Sequence, residues 1–227
     1  MKPVVFLGPS LPVRQARMIF DAEYRPPAAQ GDIMRAFQDG APAIGLIDGV
    51  FKDQPTVRHR EILWAMSEAV PVFGASSMGA LRAAELSACG MIGVGLIYRW
   101  YRRFALLADD AVAVTHSPAE MGSAPVSDAL VDIRRSVEHA VRQGALSREE
   151  AKTLLTEQTA KAFAQRHLPS DLEPYRIRQK ARDAEALLRC LARHSEAGNW
   201  PKPETPAPAI VHAWLDDLET SGLSLDP

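Results

Sequence analysis

The sequence is poor in cysteine. Cys89 and Cys190 are its two, set far apart and at no metal-ligand spacing, so neither a disulfide framework nor a zinc module can be built from them. Both are read as free core thiols. The chain also lacks charge of one sign: 26 Lys and Arg face 28 Asp and Glu, a net charge of −2. That balance gives no electrostatic footprint for nucleic acid or for a polybasic contact with a membrane. No apolar run approaches the ~20 residues that span a bilayer. The run Val4 to Leu7 is too short for a signal-peptide core, which predicts a cytoplasmic protein. There is no G-x-x-x-x-G-K-S/T loop, no H-E-x-x-H and no Cys/His cluster. Gly90 to Gly95 holds three glycines in the wrong order for a dinucleotide site. No metal or cofactor is therefore expected. What remains is a 227-residue chain, 47% hydrophobic and 24% charged, long enough for one large or two small domains around a real core.

The chain changes texture midway. Residues 1–125 alternate short apolar runs with helical patterns, and residues 126–227 are almost wholly helical in pattern. Val4 to Leu7, Ala43 to Ile47, Val70 to Gly74 and Ala111 to Thr115 read as strands covered on both faces. Helices are expected from Ser10 to Phe20, over Asp32 to Gln38, from Val57 to Glu68 and from Met78 to Cys89. The expected fold class is α/β: a short, mainly parallel sheet with flanking helices, followed by an all-helical C-terminal part. That C-terminal part opens a helix on the capping box Ser147 to Glu150 and offers a second, Pro-disturbed box at Ser170 to Glu173. Its apolar stripes, Ile177 to Leu191 and Val211 to Leu218, would pack on the α/β layer, on a docking partner, or on a second copy in a homo-oligomer. Four prolines between Asn199 and Pro208 mark an extended spacer.

Strand ends in a parallel sheet share one edge, where ligands bind. Gly8, Pro9 and Ser10, then Asp48 and Gly49, then Ala75, Ser76 and Ser77, and finally Thr115 and His116 all follow predicted strands. A serine between a strand and a helix start is placed as a nucleophile, because the first-turn N–H groups and the helix dipole favour a developing oxyanion. The segment is not G-x-S-x-G, so the hydrolase elbow does not apply as written. It locally resembles the Ser-Met-Gly-Ala stretch of Clp-type serine peptidases, which implies Ser77 as nucleophile and the Met78 N–H as oxyanion donor. Equally, Ser76 and Ser77 would serve as plain helix caps. A serine nucleophile needs a base and an orienting group. His59 with Asp48 is one expected pair, and His116 is the rival base. His59 between two arginines also reads as ordinary surface, and His116 as a turn cap. Ser76, Gly79, Arg82, Gly8 and Ser10 are the expected substrate or oxyanion contacts, although Arg82 and Glu85 would also form a plain ion pair along one helix. Asp109 and Asp110 are expected at the opposite edge, in a solvated turn.

Val5 to Leu11, Ile47 to Phe51, His59 to Leu63, Gly74 to Leu86 and Gly90 to Gly95 together resemble the TfuA-like family over roughly residues 4–120. That resemblance implies partnership with a YcaO enzyme, which activates a peptide-bond oxygen with ATP. It implies a part in making backbone thioamides, in ribosomally made peptide natural products or in methyl-coenzyme M reductase. It further implies sulfur supply from a thiocarboxylated ubiquitin-like carrier, hence a thiocarboxylate or thioester hydrolase. A non-catalytic adaptor for the YcaO enzyme and an unrelated α/β serine hydrolase are the alternatives.

Overall fold

The computed structural model describes residues 1–51, 54–104, 108–117 and 125–225. Five strands form one all-parallel sheet in the order β2-β1-β3-β4-β5: β1 (Val4–Phe6), β2 (Glu23–Arg25), β3 (Ile44–Leu46), β4 (Val72–Ala75) and β5 (Ile92–Val94). Phe6 pairs with Leu46, Leu46 with Gly74 and Gly74 with Gly93. The order reverses between β1 and β3, which opens a crevice there at the carboxyl edge.

Strand periodicity decides which helices cover which face. Val4, Phe6, Ile44, Leu46 and Val72 point to one side. They meet α2 (Asp32–Gln38), α3 (His59–Ser67) and α4 (Met78–Leu86) through Ile33, Ile62, Met66 and Ala83. Val5, Leu7 and Phe73 point to the other side, where Ala16 of α1 (Val13–Arg17) meets Leu187, Leu188 and Leu191 of α8 (Gln179–Glu196). The sequence pattern of the second half is thus spent partly on the sheet itself. A third cluster joins α4 and α5 (Leu96–Arg103) to the start of α6 (Leu130–Arg142), and a fourth joins α6 to α7 (Arg148–Ala160). The last helix, α9 (His212–Thr220), lays Trp214 and Leu218 on Met34 and Trp64. Among the described residues, no helix is long and apolar enough to cross a membrane.

One strand expected from the sequence needs revision. Ala111 to Thr115 is not a strand: Asp109–Val112 is a 3-10 turn, and the extended stretch after it bonds to residues 126 and 127 instead of joining the sheet. The sheet edge is filled instead by β5, whose glycine lets the Tyr98 ring lie against it; a Cβ on Gly93 would sit 2.2 Å from that ring. Polar, half-exposed β2 forms the other edge. The helix expected from Ser10 begins only after Pro12, because Ser10 is committed elsewhere. Ser147 does cap α7, accepting the Glu150 N–H at 3.2 Å while Glu150 accepts the Ser147 N–H at 2.8 Å. Ser170–Tyr175 is a 3-10 turn around Pro174.

Candidate active site

The turn from β4 into α4 is held by steric limits on its glycines. A Cβ on Gly79 would lie 1.7 Å from the Leu46 carbonyl oxygen, and one on Gly74 would lie 2.1 Å from the Gly79 oxygen. The start of α4 therefore presses directly on β3, and the Gly79 N–H donates to Ile47 O at 3.2 Å. Gly79, expected to bind substrate, is occupied in this packing. Ser76 adopts φ +67°, a left-handed conformation costly for a residue with a Cβ. It is fixed there as its Oγ donates to Ser10 Oγ at 3.0 Å. Ser77 stands at the N-cap of α4 but makes no side-chain cap hydrogen bond. That removes the plain capping role and leaves its hydroxyl for other work, with the Met78 N–H next to it at the helix start.

Asp48, only 1% exposed, lies at the switch between β1 and β3. Its Oδ2 accepts Gly8 N–H at 2.9 Å and Ser10 N–H at 3.1 Å, and its Oδ1 accepts Ser10 Oγ–H at 2.7 Å. The chain Asp48, Ser10, Ser76 thus binds three strand ends together beneath Ser77. Asp48 anchors these loops and hydrogen-bonds no histidine among the described residues.

Above this floor is a cavity of about 210 Å³ lined by Asp48, Ser77, Met78, Thr115, His116 and Lys180, among others. His116 comes in from the extended stretch, its Nδ1 paired with Ser117 O at 2.9 Å. Phe51 and Phe163 stand edge to face in the wall, centroids 5.9 Å apart. Asp109 also lines the cavity, contrary to the expectation from the strand assignment, while Asp110 pairs with the buried Arg166 at 2.9 Å. His59 lies elsewhere. Its Nε2 meets Glu85 Oε2 at 2.7 Å, and Arg82 Nη1 donates to the same oxygen at 2.7 Å. Burial pushes the Glu85 carboxyl up, but hydrogen bonds from His59 and Arg82 outweigh it and hold the group below the usual range. Arg82 Nε also donates to Val57 O at 3.2 Å, so this residue holds the flank of α4 and does not line the cavity.

Lys180 belongs to no motif of the sequence. It lies in the first turn of α8 and is 4% exposed, with its Nζ donating to Val112 O at 2.7 Å. Burial lowers its pKa; the negative charges of Asp48 and Asp132 act in the opposite direction and are smaller. Asp132 Oδ1 accepts the Lys180 backbone N–H at 2.9 Å, and burial pushes this carboxyl up to about 6. The signal was present but weak: a single lysine inside the stripe Ile177, Ala181, Ala184 that points at the core. A serine whose hydroxyl hydrogen-bonds no described residue and a buried amine with a depressed pKa in one small cavity can carry nucleophilic acyl transfer. Among the described residues, no group of three or more His, Cys, Asp or Glu could hold a metal ion.

No curated protein matches the chain. A family model described as TfuA-like protein matches residues 48–167, more than half the chain, and spans Asp48, Ser77 and His116. Five parallel strands, the glycine-pinned β4-to-α4 turn and this match agree with the motif pattern, and the chain belongs to the TfuA-like family.

Proposed function

We propose that this protein releases sulfide from a thiocarboxylated, ubiquitin-like sulfur carrier for a YcaO enzyme that forms backbone thioamides. Ser77 is the nucleophile and Lys180 the base. The observation that carries the mechanism is the shared cavity of Ser77 and Lys180, where burial favours the neutral amine. Family membership supports the carrier and the partner.

Neutral Lys180 takes the Ser77 proton as Oγ bonds to the thiocarboxylate carbon. The carbonyl electron pair moves onto oxygen, beside the Met78 N–H at the positive end of α4. When the intermediate collapses, the C–S bond breaks and the Lys180 ammonium returns its proton to sulfur, which leaves as hydrosulfide. Water, deprotonated by Lys180, then attacks the ester on Ser77. As the C–O bond breaks, the Lys180 ammonium returns this proton to Ser77 Oγ, and the carrier departs with an ordinary carboxylate. Val112 O keeps Nζ in place through these proton transfers. His116 lines the same cavity and is the second base to test.

The test is sulfide release by the purified protein from thiocarboxylated carrier. Ser77→Ala and Lys180→Met are each expected to lower kcat/KM by about 10³-fold or more, and His116→Ala by far less. Undiminished release by Ser77→Ala would leave the family role to docking alone.

A further inference from the structure

A second groove shares no lining residue with the Ser77 cavity. It runs between α6 and α7 and encloses about 870 Å³. Val137, Val141, Ala151 and Leu155 form its floor. Arg134, Arg142, Arg148 and Lys152 stand along its walls, and none makes an ion pair with any described residue. The one acid in the wall, Glu138, is already bound by Arg135 at 2.5 Å. In a chain of net charge −2, four uncompensated cations around an apolar floor are a local excess.

We propose that the α6–α7 groove is a docking site for an acidic amphipathic helix of a partner protein. The apolar floor calls for a stripe of aliphatic side chains, and the cationic walls call for carboxylates flanking that stripe. Along α6 the groove runs from Arg134 to Arg142, about 12 Å at 1.5 Å per residue. That length receives about two helical turns, hence apolar anchors at i, i+4 and i+7. The chain's own last helix is not the occupant, since Trp214 and Leu218 of α9 are buried against Met34 and Trp64. A nucleic acid would leave the apolar floor unused. The groove ends at Ala160, three residues before Phe163 in the cavity wall, so an occupant sits close to the mouth that the carrier must enter.

The experiment uses the full-length protein and a fluorescein-labelled synthetic peptide of about 15 residues, leucine at i, i+4 and i+7 and glutamate at most other positions. Fluorescence anisotropy should show saturable binding. A peptide of identical composition with its leucines scattered round the helix should bind at least about tenfold more weakly. The triple variant Arg142→Glu, Arg148→Glu, Lys152→Glu changes exposed side chains only. It should keep its far-UV circular dichroism and also lose at least about tenfold in affinity. Charge reversal of Arg99, Arg102 and Arg103 on α5 is the matched control and should leave binding unchanged. Equal affinity for both peptides, an equal loss in the α5 control, or full binding by the groove variant would each overturn the proposal. So would a self-associated protein that dissociates on the groove substitutions, because the occupant would then be a second copy.

Discussion

Replacing Asp48 by asparagine separates the two tasks assigned to this buried carboxylate. It accepts three hydrogen bonds, from Gly8 N–H, Ser10 N–H and Ser10 Oγ–H. Hydrogen bonds to a charged group contribute about 1.5–3 kcal/mol each and neutral ones about 0.5–1.5, so losing the charge costs about 1 kcal/mol per bond and about 3 in all. For a chain of this size, each kcal/mol corresponds to about 2–4 °C in Tm, so a fall of about 6–12 °C is expected by calorimetry. The second task is electrostatic. The negative charge of Asp48 favours the ammonium form of Lys180, opposing the larger effect of burial. Removing it lowers the Lys180 pKa further. If neutral Lys180 is the base, kcat/KM rises as pH climbs through that pKa, and the rising limb moves to lower pH in Asp48→Asn. The pH dependence of sulfide release from thiocarboxylated carrier reads this shift. A limb that stays in place or moves to higher pH would refute the coupling of Asp48 to the base, and an unchanged Tm would refute its anchoring role.

Three further outcomes follow from the geometry. Gly79→Ala places a methyl group 1.7 Å from Leu46 O and should cost about 3 kcal/mol or more, seen as loss of cooperative unfolding or of soluble protein; a Cβ at Gly144 meets nothing within 4 Å, and Gly144→Ala should cost only the left-handed backbone penalty of about 1–2 kcal/mol. Burial raises the Glu61 carboxyl from 4.5 to about 7 even though Arg58, Gly31 and Ile33 N–H groups donate to it. Its stabilising contribution is complete below the unfolded pKa and is lost as pH rises through about 7, an amount of about 3 kcal/mol; Glu61→Gln should flatten denaturant-measured stability over that window, and an unaltered slope would count against the shift. Ser147→Ala removes the cap of α7 and should lower Tm by about 2–4 °C through a loss of about 1 kcal/mol, with sulfide release intact.

How far the sequence foretold this arrangement depends on how local each signal is. Val4 to Leu7 and Ala43 to Ile47 are continuous apolar runs because both sheet faces are covered, so β1 and β3 were legible. β2 and β5 were not: one is a polar edge strand and the other is built around glycine, so neither carries the apolar run that marks a buried strand. Ala111 to Thr115 looked like a strand because burial among α4, α5 and α6 selects the same small and branched residues. Of the expected site, Asp48, Ser77, Met78 and His116 share the cavity, and Gly8, Ser10 and Ser76 support it from below. His59 and Arg82 do not reach it, since order along the chain says little about direction once a helix has turned them toward Glu85. Lys180 was illegible for a related reason. Its place in a core-facing stripe marks it only weakly, and its meaning comes from Val112, Asp48 and Asp132, which belong to other parts of the chain.

The remoteness of Lys180 from Ser77 in the chain also bears on biosynthesis. Ser77 leaves the ribosome well before Lys180 does, and α8 must dock on β3, β4 and β5 before the two share a cavity. On the proposed mechanism, a nascent polypeptide that lacks α8 therefore carries a serine without the amine to activate it. On that mechanism, hydrosulfide, toxic and volatile when made in the wrong place, is then liberated only once α8 has been made and has docked.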